Sequence, residues 1–287
     1  MILSFHPCLD SDAQIILGDR SLTKEDMALI QKANVIILPQ TCPYDLYEVC
    51  ANSKALIFPN YKTRFRYPGK VGQARLFKKL ALPHPKTMCW QTVNEFKNAV
   101  KSKKNGTYPH KTPFLIKDNH SHEGDGVHIV KDKSGLAWLL DNMSAKENMY
   151  KDGFISQEFI PCSGNVLRAV ILGTKIISYW KRPKSDDQVI TTISRGAEID
   201  HDWRPDLQEK GKAMARIIAE KTEINLAAID FIFPDSDNRV SPLTLEINYY
   251  FGRRGIGGIE NYYRLLHAAV CDWLDVQGVN PEPVKIV

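Results

Sequence analysis

The stretch AAIDFIFPDSDNRVSPLTLEIN, residues 227–248, decides how the chain is read. Two aliphatic runs flank a polar centre, and Pro234 and Pro242 lie symmetrically about Asn238, which predicts a hairpin whose strands end at the prolines. On that register Asp230 stands opposite Glu246, where Cβ atoms lie about 4.5–5.5 Å apart and like charges destabilise. Asn248, two residues past Glu246, projects from the same face. Two carboxylates and a carboxamide oxygen are hard donors of the kind Mg²⁺ accepts together with water and phosphate oxygens. Ile229, Phe231, Leu245 and Ile247 alternate with them on the other face, so periodicity alone leaves a solvent-facing acidic pair open. An EF-hand is excluded. Asp235, Asp237 and Glu246 have its spacing, but Arg239 and Val240 stand where a ligand and the turn glycine are needed.

Upstream, PFLIKDNHSHEGDGVHIV (113–130) places Lys117 at a strand end, then a loop with Gly124 and Gly126, then a second strand. A glycine-containing hairpin can bring backbone N–H groups to phosphate oxygens, with an ammonium beside them; two glycines in a hairpin are also ordinary turn residues. The runs NVLRAVIL and KIISYWKR meet at Gly173-Thr174, which suits a type II′ turn and predicts an antiparallel pair. A helix starting at Pro205 is expected to lay Leu207, Met214, Ile217, Ile218 and Lys221 along one face. Nearer the start, Ile2–Phe5, Ile15–Leu17, Val35–Leu38 and Ala55–Phe58 read as short strands between helices, the first of them opening with Thr23 and Asp26 as a capping box. Residues 1 to about 60 therefore predict a small, mostly parallel α/β unit. The stretch KSKKNGTYPHK (101–111) reads as an exposed loop.

In order along the chain stand Lys117 on a strand, SHEGDGV, QEFI at Gln157 to Ile160, Arg168 in VLRAV, Arg195-Gly196, Asp230 on a strand, and Glu246-x-Asn248 before GRRGIGGIE. Over residues 64 to 275 this order resembles the ATP-grasp enzymes, with the flavour of RimK-type carboxylate–amine ligases related to bacterial glutathione synthetase. The resemblance implies a mixed α/β fold: a pre-ATP-grasp α/β domain (1–63), then an ATP-grasp domain (64–287) with two α+β subdomains, a lid at about 84–155 and a C-terminal part at about 156–287. It implies ATP and Mg²⁺, with Mn²⁺ as an alternative, and ligation of a carboxylate to an amine through an acyl phosphate. Lys117, Gly124 and Gly126 would meet the phosphates, and Gln157, Glu158, Phe159 and Ile160 the adenine, with Glu158 toward its amino group or the ribose. Asp230, Glu246 and Asn248 would hold the metal. Arg168 and Arg195 would act at the transferred phosphate or substrate carboxylate, with Lys181 or Arg182 a weaker candidate for either. The pattern departs at Ser121, where glycine is usual, at Asp125, where a base often stands, and at Val166, where an aspartate precedes the arginine. A small-molecule kinase or a non-catalytic ATP-binding module would share these nucleotide residues.

Of 287 residues, 43% are hydrophobic and 25% charged, with net charge +5, which argues against disordered, collagenous or membrane-spanning chains. The six cysteines show no CxxC pair and read as reduced thiols. The start lacks the basic residues of a signal peptide, so a cytoplasmic protein is expected. The charge is uneven: residues 61–111 carry 13 Lys/Arg against one Asp/Glu. That segment points to an anionic substrate, with Arg64 and Arg66 as candidate contacts and Arg253 as another in the glycine loop. The partners expected are a small carboxylate and an amine, or a peptide or protein terminus. Nucleic acid finds no recognised motif, a membrane is not expected, and a homo-oligomer is left open.

Overall fold

The computed structural model describes all residues except 102–108, 122–123, 146–149, 186–187, 189–190 and 236–240. The first sheet has strand order β3 (Ala13–Gln14), β1 (Ile2–Ser4), β4 (Val35–Ile37), β5 (Leu56–Phe58), and every pairing is parallel. Helices α1 (Lys24–Lys32) and α2 (Tyr44–Ala51) supply its crossovers. Thr23 caps α1 as expected: its hydroxyl accepts from Asp26 N at 3.2 Å, and the Asp26 carboxylate accepts from Thr23 N at 2.8 Å. The strand expected at Ile15–Leu17 instead pairs at Ala13–Gln14, and Ile15 N still donates to Ser4 O. Residues Leu9–Asp10 (β2) pair with Lys285–Ile286 (β15), tying the two ends of the chain together.

After α3 (Lys62–Arg66) and α4 (Gly69–Lys79), a second sheet runs β6 (Thr87–Trp90), β9 (Phe154–Glu158), β7 (Phe114–Asp118), β8 (Val127–Val130), all antiparallel. Helices α5 (Val93–Lys101) and α6 (Lys133–Ala145) cover it through Trp90, Phe96, Phe114, Leu136 and Phe154. Most of the segment read as an exposed loop lies outside the described residues, but Pro109 and His110 are buried, His110 bonding Ser156.

The third sheet is antiparallel, in the order β12 (Glu198–Asp200), β11 (Lys175–Arg182), β10 (Val166–Leu172), β13 (Leu226–Ile232), β14 (Leu243–Asn248). At the β10–β11 turn Gly173 takes φ +60° and Thr174 does not, which is the II′ pattern. One face, through Leu167, Ala169, Ile171, Ile229 and Phe231, packs on α7 (Pro205–Thr222) and α4. Ile217, expected on that face, is exposed; Gly211 and Ala215 take the close contact with the sheet. The other face, through Val170, Leu172, Leu226 and Ala228, packs under α8 (Gly258–Val276) and the first sheet. Toward the other end of β10 that second face turns polar, and the site lies there.

Candidate active site

The expected register holds: Asp230 faces Glu246, and Ala228 faces Asn248. Beyond Asp230 a bulge intervenes, Phe231 pairing with Thr244, so Leu245 is the extra residue. Leu245 therefore does not keep to the opposite face and lines the same cleft as Glu246. Extending the register across the sheet gives one row of side chains, Tyr179, Arg168, Asp230 and Glu246, on four adjacent strands. A sheet with period two must aim all four to one face.

Asp230 is 2% exposed. Arg168 grips it in a fork, Nε to Oδ1 and Nη2 to Oδ2 at 2.7 Å each, and Lys181 Nζ donates to Oδ2 at 2.8 Å. Burial opposes the charge of Asp230, yet Arg168 and then Lys181 outweigh it and keep the carboxyl below its ordinary value. Asn248 Nδ2 bridges Glu246 Oε1 at 3.1 Å and Asp230 Oδ2 at 3.4 Å.

Across a narrow cleft open to solvent, the second sheet presents Lys117 and Gln157, and α4 presents Lys70, toward Glu246. Lys117 Nζ donates to Gln157 Oε1 at 2.6 Å, and Gln157 Nε2 to Thr87 Oγ1 at 2.8 Å. Burial lowers Lys117 to about 8, against a smaller opposing pull from Glu246. Lys70 Nζ donates to Ser121 O and Oγ at 2.5 and 3.1 Å, and burial also pushes it down. Among the described residues neither ammonium forms an ion pair with a carboxylate.

Two contacts fix α4 beside this cleft. The Gln73 amide exchanges two bonds of 2.8 Å with the backbone of Ile247, satisfying the edge of β14. Asn119, at the base of the glycine loop, accepts from Val71 N at 2.9 Å and takes the capping role that Pro68 cannot fill; its own carbonyl accepts from Lys70 N. Gly124 and Gly126 have φ of +79° and +64°, and a side chain at Gly126 would strike the Asp118 carboxylate. Arg195 reaches this loop from the third sheet's side, donating to Asp125 Oδ1 at 2.9 Å and Gly124 O at 3.3 Å.

Other expected residues lie elsewhere. Glu158 is exposed at the end of β9, and Phe159 and Ile160 follow the strand rather than continue it. Arg182 pairs with Asp200 at 3.0 Å and stacks on Trp203, leaving the inward position to Lys181. Arg64 donates to Gln40 O at 3.2 Å and lies 4.9 Å from the Tyr61 and Phe65 rings. Arg66 is exposed over Tyr67, and Arg253 lies over Tyr262 and Tyr263 at 4.5 and 4.8 Å. Residues missed at sequence level are Lys70, Gln73, Thr87 and Asn119. Only Lys70 carried a signal, as part of the basic segment.

The model of the RimK-like ATP-grasp domain matches residues 70–266. The chain belongs to the RimK-like ATP-grasp family. That span takes in both sheets facing the cleft and Lys70 at its first residue. Solved structures share the fold. The RimK domain ATP-grasp protein of Sphaerobacter thermophilus is 13% identical with TM-score 0.56, over 95% of this chain and 98% of its own. The N5-carboxyaminoimidazole ribonucleotide synthetase of Thermotoga maritima is 17% identical with TM-score 0.61, over 94% and 68%. The Staphylococcus aureus N5-carboxyaminoimidazole synthetase complexed with ADP is 12% identical with TM-score 0.59, over 89% and 65%. This RimK-like chain thus spans less than two thirds of some of the synthetases it resembles, 61% in another case solved with ADP. No curated protein matches it. No helix among the described residues is long and apolar enough to cross a membrane.

Proposed function

We propose that this RimK-like chain binds Mg·ATP in the cleft between its second and third sheets and uses it to join a carboxylate to an amine. The observation that carries the proposal is the pair Lys117 and Lys70, two crowded ammonium groups facing one cleft with, among the described residues, only neutral oxygens as hydrogen-bond acceptors. A buried cation without a counter-ion is costly, and phosphate oxygens would supply one. Gly124 and Gly126 would let the loop approach the phosphates, and Gln157 with the residues after it, Glu158 to Ile160, would border the base. The residues present fit a divalent metal as hard oxygen donors at one strand end: Glu246 and Asn248, with Asp230 beside them. Bound there, Mg²⁺ would neutralise phosphate oxygens.

Phosphoryl transfer asks the protein for position and charge rather than for a nucleophile. Arg168 spends two of its five N–H groups on Asp230, and the rest can meet the transferred phosphoryl group. Arg195, already at the glycine loop, would follow that loop toward the phosphates. The substrate carboxylate oxygen attacks the γ-phosphorus and ADP leaves; the amine nitrogen then attacks the acyl carbon, phosphate leaves and the amine loses a proton. Arg64, Arg66 and Arg253 stand on the side of the first sheet and the glycine-rich 252–258 loop, where an anionic substrate, free or at a protein terminus, would enter. We take residues 1–63 as the pre-grasp unit that shapes this entrance.

Hydroxylamine trapping with ATP and a panel of carboxylates tests the proposal. A hydroxamate formed with ADP is the expected result. A stable phosphorylated product formed without amine would show a kinase instead, and no nucleotide turnover with any acid would leave a binding module.

A further inference from the structure

We propose that Asp230 is the fixed counter-ion of Arg168 and Lys181, a positioning residue, and that Glu246 and Asn248 alone hold the divalent cation. The inference rests on the metal–nucleotide reading and divides the labour within its oxygen cluster.

A carboxylate offers about four lone-pair sites on its two oxygens. Oδ2 of Asp230 already accepts from Arg168 Nη2 and Lys181 Nζ, with Asn248 Nδ2 at 3.4 Å, and Oδ1 accepts from Arg168 Nε. The side chains of Arg168 and Lys181 are 11% and 6% exposed, so the group is enclosed by its own cations. The one lone pair left, on Oδ1, lies beside the guanidinium, and a hydrated Mg²⁺, which gives up its waters reluctantly, would meet two fixed cations there. Glu246 differs in each respect. It accepts one described hydrogen bond, from Asn248, it is half-buried, and it opens on the cleft that Lys70 and Lys117 face.

The same register explains why Lys181 turns to Asp230. Directly opposite Lys181 on β10 stands Val166, which offers it no charge. The lysine stem passes over that position to the carboxylate on the next strand. Asp230 thereby locks two cations, one by a planar fork and one by a single bond, and fixes how their remaining N–H groups face the cleft.

The test compares D230N, E246Q, K181M and V166D through two readouts: melting of the metal-free protein, and the gain in ADP affinity on adding Mn²⁺, measured by titration calorimetry. D230N leaves two enclosed cations unpaired, and its melting temperature is expected to fall by roughly 5–8 °C. Its Mn²⁺-dependent gain in ADP affinity should stay within about threefold of the parent's. E246Q should melt within about 2 °C of the parent and lose the gain. V166D, by placing a carboxylate opposite Lys181, should restore much of the melting temperature when combined with D230N. D230N losing the Mn²⁺ gain as fully as E246Q, or melting like the parent, would overturn the assignment. Should D230N fail to fold, K181M decides: a metal ligand masked by Lys181 would show as a gain increased about tenfold, whereas a counter-ion leaves the gain unchanged. A parent that binds no ADP with or without Mn²⁺ would refute the nucleotide reading, while the melting comparison would still decide the role of Asp230 as a counter-ion.

Discussion

Replacing Lys117 with methionine is expected to make the protein more stable and unable to hold nucleotide. Lys117 sits at about 8, against an ordinary 10.5, chiefly because burial penalises its charge. At 1.36 kcal/mol per unit, that depression corresponds to about 3 kcal/mol of destabilisation at pH 7. Methionine removes the penalty but leaves the Gln157 carbonyl without its donor, a loss of about 1 kcal/mol. The net gain is about 2 kcal/mol, or about 3 °C in melting temperature for a chain of this size.

The sign with pH follows from proton counting. Between about pH 8 and 10.5 the unfolded chain keeps the Lys117 proton that the native state has released, so native stability rises with pH across that window. The penalty is fully present below pH 8 and gone above the unfolded value. The advantage of Lys117→Met should therefore be largest at pH 7 and shrink toward zero by about pH 10.5. Melting curves of parent and variant at pH 7, 9 and 10.5 measure it. ADP titrations should show affinity lower by roughly two to three decades in the variant, and falling in the parent as pH rises through 8. A variant less stable than the parent at pH 7, or a difference that ignores pH, would refute the claim that this ammonium is held against its preference.

Asn119→Ala removes the acceptor of Val71 N and a donor to Asp152 O; about 2 kcal/mol of stability should be lost in urea titrations, with the KM for ATP raised because α4, which carries Lys70, loses its side-chain cap at Val71. Gly255 lies against the Tyr179 ring with no room for a Cβ, so Gly255→Ala is expected to cost about 1–3 kcal/mol; because Tyr179 stands directly opposite Arg168, kcat should fall more than KM changes. Asp125→Asn breaks an exposed ion pair with Arg195, so melting should be unmoved while amide exchange quickens in the glycine loop.

Features fixed by local chemistry were legible in the sequence. The symmetry of Pro234 and Pro242 about Asn238 put Asp230 opposite Glu246, but nearer the turn the pairing is one residue off, Ile232 facing Leu243, and the bulge brings it back; Gly173-Thr174 set the β10–β11 pairing. That second hairpin also puts residue 181 opposite Val166 and on the same face as Arg168, so its arithmetic could have preferred Lys181 to Arg182. What it could not supply is the neighbour beyond β10. The bond from Lys181 to Asp230 spans 49 residues and depends on β13 lying next to β10, which no local period encodes. The bulge at Leu245 is equally invisible, since one inserted residue shifts a face without altering composition. Gln73 was hidden for another reason: a glutamine on a helix shows nothing of the strand edge it will satisfy.

The basic segment changes meaning once α4 is placed. By sequence, residues 61–111 stood apart from the nucleotide residues, yet Lys70 belongs to that segment and faces the same cleft as Lys117 and Glu246. The centre then holds Lys70, Lys117, Lys181 and Arg168 against Asp230 and Glu246. Only Asp230 is tightly paired with its cations, so the positive excess sits on the cleft side, where burial works against it. Folding alone relieves that imbalance only in part, through the longer-range pull of Glu246 and then Asp118 on Lys70 and of Glu246 on Lys117. An anion bearing several charges relieves it, and one with its phosphates beside Lys70 and Lys117 would do so at the expense of no existing ion pair.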